Sequence, residues 1–329
     1  MARVDVIILN YNGEYFLRPC LTALKAQTYQ DFEIILVDNA STDGSLYLLK
    51  TEFPEVRVLA LPENLGFCAG NNRGIQATSG EYVALLNNDT EVTPGWLEAL
   101  VNALDRNPEV GFCASLMIRI SDRKTIDSAG IIFFTHGVGA KRGSGESAGN
   151  YIRQERVFGA CAGAAIYRRN MLQEIGFFDE SFFAFDEDID LSFRAQLRGY
   201  KCQYVPEAVV FHHVGGSFNR FFKNNIKCIR RNMLETLLKN MPFSLLFKYS
   251  PQILLYYVAG DIAHALRGHA SLIMRARWDN FRRLLMTLAK RYQIQQRRST
   301  SVSDIDQCLT YGGWSLLRTT ILRWWLHAS

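Results

Sequence analysis

Glu81-Tyr82-Val83-Ala84-Leu85-Leu86-Asn87-Asn88-Asp89-Thr90 is a short unbroken apolar run that ends in amides and a carboxylate. A run of that length without polar alternation reads as a strand covered on both faces, the kind that builds parallel sheets. Asp89 is the first carboxylate after the dry segment. A lone charge at such a place is costly unless a cation or a proton donor meets it, so the strand end points to a divalent metal beside a phosphate-bearing ligand.

Working outward, similar apolar runs occupy residues 4–9, 33–37, 56–61, 82–86 and 110–115, and helical patterns fall near residues 16–26, 44–52, 68–77 and 95–106. Asp43 and Thr93-Pro94 supply start signals for two of those helices. Such alternation predicts an α/β fold with a mostly parallel sheet and a ligand site at the carboxyl ends of its strands, where Asp38 and Asp89 both fall. Residues 120–156, rich in Gly, Ser, Arg and Lys, suit a surface excursion or mobile loop, a candidate lid. A second αβ portion follows, with a helix over residues 189–197 and a strand pair over 202–205 and 208–211. Beyond Asn224, Ile226, Ile229, Met233, Leu234, Leu237, Leu238 and Met241 share one helix face, with Lys227, Arg230, Arg231 and Lys239 around it. Further helices are predicted over residues 245–266 and 271–295.

The chain has 329 residues, 48% of them hydrophobic and 21% charged, which is globular composition. Its seven cysteines are scattered without a C-x-x-C pair, so they read as core thiols of a reducing compartment rather than a disulfide framework. The opening residues carry Asp5 where a signal peptide needs its apolar core, and the expectation is a cytoplasmic protein. Charge is unevenly shared: residues 220–329 hold 18 Lys and Arg against 5 Asp and Glu, whereas residues 1–219 hold 19 against 27. A basic tail implies an anionic partner: nucleic acid, a membrane surface or a phosphorylated acceptor. Its longest uncharged apolar stretch, residues 249–260, is 12 residues long and contains Pro251. That falls short of the roughly 20 needed to cross a bilayer, so lying on the membrane is the better expectation.

Six segments in order carry the chemistry: Ile8-Leu9-Asn10-Tyr11-Asn12-Gly13; Val37-Asp38-Asn39; Glu63-Asn64-Leu65-Gly66 running on to Gly70, Asn71 and Gly74; Asn87-Asn88-Asp89; Phe185-Asp186-Glu187-Asp188-Ile189-Asp190; and Val210-Phe211-His212-His213-Val214-Gly215. The ordered set resembles family 2 glycosyltransferases of the GT-A fold, notably the bacterial rhamnosyltransferase-like group, over about residues 3–240, with a weaker echo in residues 290–298. The resemblance implies a Rossmann-like mostly parallel sheet flanked by helices in residues 1–222, with donor binding in 1–118 and the acceptor and catalytic part in 119–222. Residues 223–329 would be a basic helical appendage for a membrane surface or the acceptor.

Carried over residue by residue, Asp38 accepts a hydrogen bond from the donor's pyrimidine or ribose, a task for an ionised carboxylate. Leu9, Asn10, Tyr11, Gly66, Asn71 and Asn88 complete the nucleotide site, with Asn71 holding either the base or the following strand. Gly66, Gly70 and Gly74 lack the dinucleotide G-x-G-x-x-G spacing, and their expected role is close backbone approach to the nucleotide. Asn87-Asn88-Asp89 matches the family's D-x-D element with Asn first, leaving Asp89 to hold Mg²⁺ or Mn²⁺ with a histidine. His212 is matched to that histidine and His213 is the alternative. Asp188 matches the catalytic base. Crowded carboxylates over residues 186–190 raise one another's pKa toward the range a base needs. Glu187, His213 and Arg231 are assigned to acceptor or phosphate contacts. The implied reaction is inverting, metal-dependent and non-processive, from a dTDP- or UDP-sugar such as a deoxyhexose to a lipid-linked or glycan acceptor. The enzyme is expected at the inner face of the membrane, with no nucleic acid partner. The Q-x-x-R-W element of processive synthases is absent. Two rivals remain: an inert nucleotide-sugar or nucleic-acid binding protein, and a nucleotidyltransferase, which would need a glycine-rich loop near residues 9–20 where this chain has only Gly13.

Overall fold

A computed structural model describes residues 2–215 and 225–312, which fall into two compact units. The first begins with β1 (Val4–Asn10), α1 (Glu14–Lys25), β2 (Phe32–Asp38), α2 (Ser45–Glu52), β3 (Arg57–Ala60), α3 (Gly66–Gln76) and β4 (Tyr82–Asn87). It continues with β5 (Thr90–Val92), α4 (Trp96–Arg106), β6 (Val110–Arg119), β7 (Ile126–Ser128), β8 (Ile131–Phe133), β9 (Gly139–Lys141), β10 (Glu155–Val157), β11 (Ala164–Arg168), α5 (Arg169–Ile175), α6 (Glu187–Leu197) and β12 (Lys201–His212). The strand order is β10-β12-β6-β11-β4-β1-β2-β3, with β5 on β12 and β7 on β6. Pairing is parallel through β4, β1, β2 and β3, while β11 runs antiparallel to β4 and β6. This is a Rossmann-like α/β core.

The unbroken apolar runs are explained by burial on both faces. Val6, Ile8, Leu36, Ala84 and Leu86 pack with Leu17, Leu21, Trp96, Leu97 and Leu100 of α1 and α4. Their neighbours Ile7, Ile35, Val37, Val83 and Leu85 pack on the opposite face with Cys68 and Ile75 of α3. Register aligns Asn10 with Asp38 and Leu9 with Asn87, so the polar residues that end three strands form one row.

Two sequence expectations need correction. Residues 120–156 are not simply a surface excursion: β7 joins the main sheet, β8 and β9 pair with each other, and Ile126, Asp127, Ile131 and Phe133 are buried. The predicted strand pair near residue 205 is one strand, β12, whose register on β6 shifts between Val205 and Val209. Pro206 explains the break, since it has no N–H to give a ladder.

The second unit comprises Ile132–Ala140 together with α7 (Asn225–Asn240), α8 (Phe243–Lys248), α9 (Ser250–His264), α10 (Ala270–Arg282), α11 (Leu284–Gln296) and α12 (Val302–Cys308). The helices predicted over residues 245–266 and 271–295 are each interrupted, at Tyr249 and at Arg283, while Gly268, with φ 85°, lies in the gap left between them. The sequence pattern did not mark α12. The basic residues expected around the apolar face of α7 are partly interior: Arg230 is buried and pairs with Asp261 at 2.6 Å, and Lys239 is buried too. Among the described residues no helix is long and apolar enough to cross a membrane.

Candidate active site

The carboxyl end of the parallel sheet carries a chain of short side chains. Asn10 Nδ2 donates to Asp38 Oδ1 at 3.3 Å and to Ser41 Oγ at 3.1 Å, while Asn10 Oδ1 accepts from Asn88 Nδ2 at 2.7 Å. Asp38 Oδ2 accepts from the Ser41 backbone N–H at 3.0 Å. The turns after β1 and β2 are wound tightly, with positive φ at Asn12 and Ala40. Gly13 lets the chain pass beneath this row, since a Cβ there would stand 2.1 Å from Asn88 Nδ2. Asn39, to which the sequence reading gave no role of its own, ties β2 to the start of α3: it donates to Asn64 Oδ1 at 2.8 Å and accepts from the Leu65 N–H at 2.9 Å.

Two of the α3 glycines, Gly70 and Gly74, behave differently from the expectation. A Cβ at Gly70 would meet Leu9 Cδ1 at 2.5 Å and one at Gly74 would meet Ile7 Cγ2 at 2.6 Å, so both serve helix-on-sheet packing rather than nucleotide approach. Gly66 has φ +80° and lies against Phe183, whose carbonyl accepts from the Cys68 N–H at 3.1 Å. Asn71 is buried and donates to Phe67 O at 2.9 Å inside α3. Tyr11 is half-buried beside the turn.

Asp89 and His212 come together from β4's end and β12's end. Asp89 Oδ1 is 3.4 Å from His212 Nε2, and both residues are buried. His212 Nδ1 bonds Asp127 Oδ2 at 2.9 Å, and the same oxygen accepts from Lys141 Nζ at 2.8 Å. Burial alone would lower the imidazole's pKa; its two carboxylate partners outweigh that and raise it to about 9. Burial likewise pushes Asp127 up, but the His212 hydrogen bond and the Lys141 charge hold it well below the usual carboxylate range. His213 turns away, toward Glu91 at 3.6 Å and the Phe16 ring at 5.2 Å.

Among the described residues no group of three or more His, Cys, Asp or Glu is arranged to hold a metal ion. The Asp89–His212 pair still fits one, because Mg²⁺ or Mn²⁺ commonly takes one or two protein ligands and completes its shell with phosphate and water. The hydrogen bond on the far ring nitrogen of His212 is the support a ligating histidine needs.

Asp188 stands in the first turn of α6. The Ala162 N–H approaches its Oδ2 at 3.4 Å, and Gly163 O in turn accepts from the Asn87 N–H at 2.9 Å. That short bridge brings Asp188 to the edge where β4 ends in Asn87-Asn88-Asp89. Phe183, Phe185 and Asp186 leading into α6 all hold positive φ, strain of the kind that gathers at functional sites. Burial raises the Asp188 carboxyl, opposed by the Ala162 N–H and the charge of Lys141. Burial, with Asp188 beside it, pushes Glu187 well above the usual range, and among the described residues Glu187 Oε2 has no hydrogen-bond partner. Asp190 is structural: it holds Arg194 at 3.0 Å, and Arg194 donates to the carbonyls of Ile175, Gly176 and Phe177. Arg231 lies in the second unit, where its Nε donates to Asn232 Oδ1 at 2.9 Å.

Residues 5–176 match the family described as Glycosyl transferase family 2, and the chain belongs to that family. It is a glycosyltransferase with the GT-A fold, related to bacterial rhamnosyltransferase-like enzymes. Over 240 residues it is 31% identical to the N-acetylglucosaminyl-diphospho-decaprenol L-rhamnosyltransferase of Mycobacterium tuberculosis, covering 66% of this chain and 78% of that protein. Among solved structures, GalNAc-T7 with UDP, GalNAc and Mn²⁺ superposes with a TM-score of 0.62 at 16% identity, over 79% of this chain and 51% of that one. S. aureus TarS 1-349 does so with 0.58 at 16% identity, over 89% of each. At such identities these likenesses concern the fold.

Proposed function

We propose that this glycosyltransferase is inverting, metal-dependent and non-processive, and moves a deoxyhexose such as rhamnose from a nucleotide diphosphate sugar to a lipid-linked or glycan acceptor in bacterial surface glycan assembly. The observation that carries the proposal is the meeting of Asp38, Asn10, Asn88, Asp89 and His212 along one strand edge, with Asp188 linked to the same edge through Ala162 and Gly163. The rhamnosyl choice rests on the relative whose name carries that sugar. The Asp38 carboxylate binds a hydroxyl or N–H of the nucleoside, and Asn10 orients it. Asp89 and His212 would hold Mg²⁺ or Mn²⁺, which neutralises the diphosphate and eases its departure. Asp188 takes the proton of the acceptor hydroxyl as that oxygen bonds to the anomeric carbon, and the carbon–diphosphate bond breaks on the opposite face. Inversion follows. Glu187, buried beside Asp188, accepts or shares a hydrogen bond with the acceptor.

Transfer of labelled sugar from a panel of nucleotide sugars, with Mg²⁺ or Mn²⁺ and then with EDTA, tests the reaction. Asp188→Asn is expected to keep donor binding within about twofold while transfer falls at least ~10³-fold, the scale of losing a general base. Comparable transfer by the variant would refute the assignment. The second unit is proposed to rest on the anionic inner surface of the cell membrane, where a lipid-linked acceptor resides.

A further inference from the structure

Asp127 has no place in the reaction as described, yet it is more buried than most groups that do, at 3% exposure. It sits in β7, whose pairing with β6 runs Ile118 to Ile126 and then Met117 to Ser128, leaving Asp127 as the extra residue of a bulge. Bulges re-aim side chains, and this one directs a carboxylate at the end of a strand on the other side of β6. The carboxylate meets His212 Nδ1 at 2.9 Å. Lys141, at the end of β9, binds the same Asp127 oxygen at 2.8 Å. Both ring nitrogens of His212 therefore have a carboxylate partner, but the two are unequal: Asp127 is at hydrogen-bond distance and Asp89 is at 3.4 Å.

We propose that Asp127, anchored by Lys141, is the positioning residue for His212: it holds the Nδ1 proton and fixes the ring plane, so that Nε2 and Asp89 present a preset pair to the divalent cation. This rests on the metal assignment above. The chemistry follows from the imidazole itself, since a neutral ring protonated at Nδ1 keeps its lone pair at Nε2, and an unanchored ring divides between tautomers and rotamers. Lys141 adds a second donor to the same carboxylate, which limits the freedom of Asp127 to swing away.

The test uses the full chain and two readouts that do not involve turnover. One is Mn²⁺ affinity, measured by electron paramagnetic resonance with the metal alone. The other is the ¹⁵N spectrum of histidine-labelled protein, which reports the protonated nitrogen of His212 directly. Asp127→Ala is expected to weaken Mn²⁺ binding by about 10- to 100-fold and, at a pH alkaline enough to leave the ring neutral, to move the His212 signals toward a mixture of tautomers. Asp127→Asn, nearly the same shape, should lie between Ala and wild type and keeps the test open if Ala does not fold. Lys141→Met should shift both readouts in the same direction by less, and Lys141→Arg should restore them. Unchanged Mn²⁺ affinity and unchanged ring signals in folded Asp127 variants would overturn the proposal. If the wild-type chain binds no Mn²⁺, the metal assignment fails on its own, and the His212 ring signals alone decide whether Asp127 positions it.

Discussion

At the scale of single residues, the site is built from carboxylates whose neighbours pull them in opposite directions. Asp127 is held low by a histidine and a lysine, whereas burial raises Asp188 and Glu187. A base must be ionised to accept a proton, so with Asp188 in the proposed role its raised pKa places the acid limb of the rate profile above the ordinary carboxylate value of about 4. Activity should therefore fall as pH drops at a higher pH than for an exposed aspartate. A kcat/KM profile flat down to about pH 4 would contradict this. The same shift has a consequence for stability, and its sign is opposite to that of a salt-bridged acid. A carboxyl whose pKa is higher folded than unfolded weakens the fold once pH exceeds the unfolded value. Asp188→Asn should accordingly melt at or above the wild-type temperature at neutral pH, by roughly 2–4 °C for each kcal/mol regained. The residues assigned to the site stood out in the sequence because their types and order are unusual: carboxylates and amides at the ends of apolar runs. Asp127 did not, because it is a single carboxylate between Ile126 and Ser128 in a segment that reads as a loop, and only the bulge reveals where it points.

At the scale of elements, β1, β2 and β4 and their helices were legible because runs of four or five apolar residues leave few alternatives. The register that aligns Asn10 with Asp38 was also implicit, since both residues end their runs. Gly70 and Gly74 of α3 were misassigned because a glycine facing a ligand and a glycine facing a strand look alike in sequence. Their role sets two magnitudes against each other. Gly74→Ala gains up to about 1 kcal/mol of helix propensity, but its Cβ would lie 2.6 Å from Ile7 Cγ2 and 2.9 Å from Val37 Cγ2 in a buried core. Overpacking of that kind costs about 1–3 kcal/mol, so the variant should be less stable by denaturant unfolding. Gly95→Ala, which meets nothing within 4 Å, serves as its control and should change little. A Gly74→Ala chain as stable as wild type would mean that α3 shifts away from β1 freely. The interrupted helices after residue 240 escaped the sequence reading for another reason. The break at Arg283 is a single residue that carries no proline or glycine to announce it, whereas the one at Tyr249 stands just before Pro251, a helix-start signal that the sequence reading used only against a membrane span.

At the scale of the whole molecule, the second unit distributes its side chains contrary to the usual rule for a protein surrounded by water. Its central helix α7 buries Arg230, Glu235 and Lys239, whereas Leu254, Val258, Ile262 and Leu266 are exposed at four-residue spacing along α9 and the turn after it. Met274, Trp278, Phe281 and Leu285 repeat the pattern along α10 and into α11, with Leu266 at 84% and Leu285 at 82% exposure. Exposed stripes of that extent mark a contact surface. Arg275 and Arg282, exposed within the same helix as Trp278 and Phe281, favour a partner that is both apolar and negatively charged. A bilayer interface rich in anionic lipid meets both demands, with Trp and Phe entering the acyl boundary and the arginines meeting phosphates. The chain should therefore co-sediment with vesicles containing anionic phosphatidylglycerol at low salt and bind less to purely zwitterionic ones. Trp278→Ala with Phe281→Ala should weaken binding at least tenfold, because each buried aromatic is worth about 1.5–3 kcal/mol and 1.4 kcal/mol is a factor of ten. Failure to bind anionic vesicles, together with dimers by analytical ultracentrifugation that the double variant abolishes, would assign the stripe to a second copy of the chain instead.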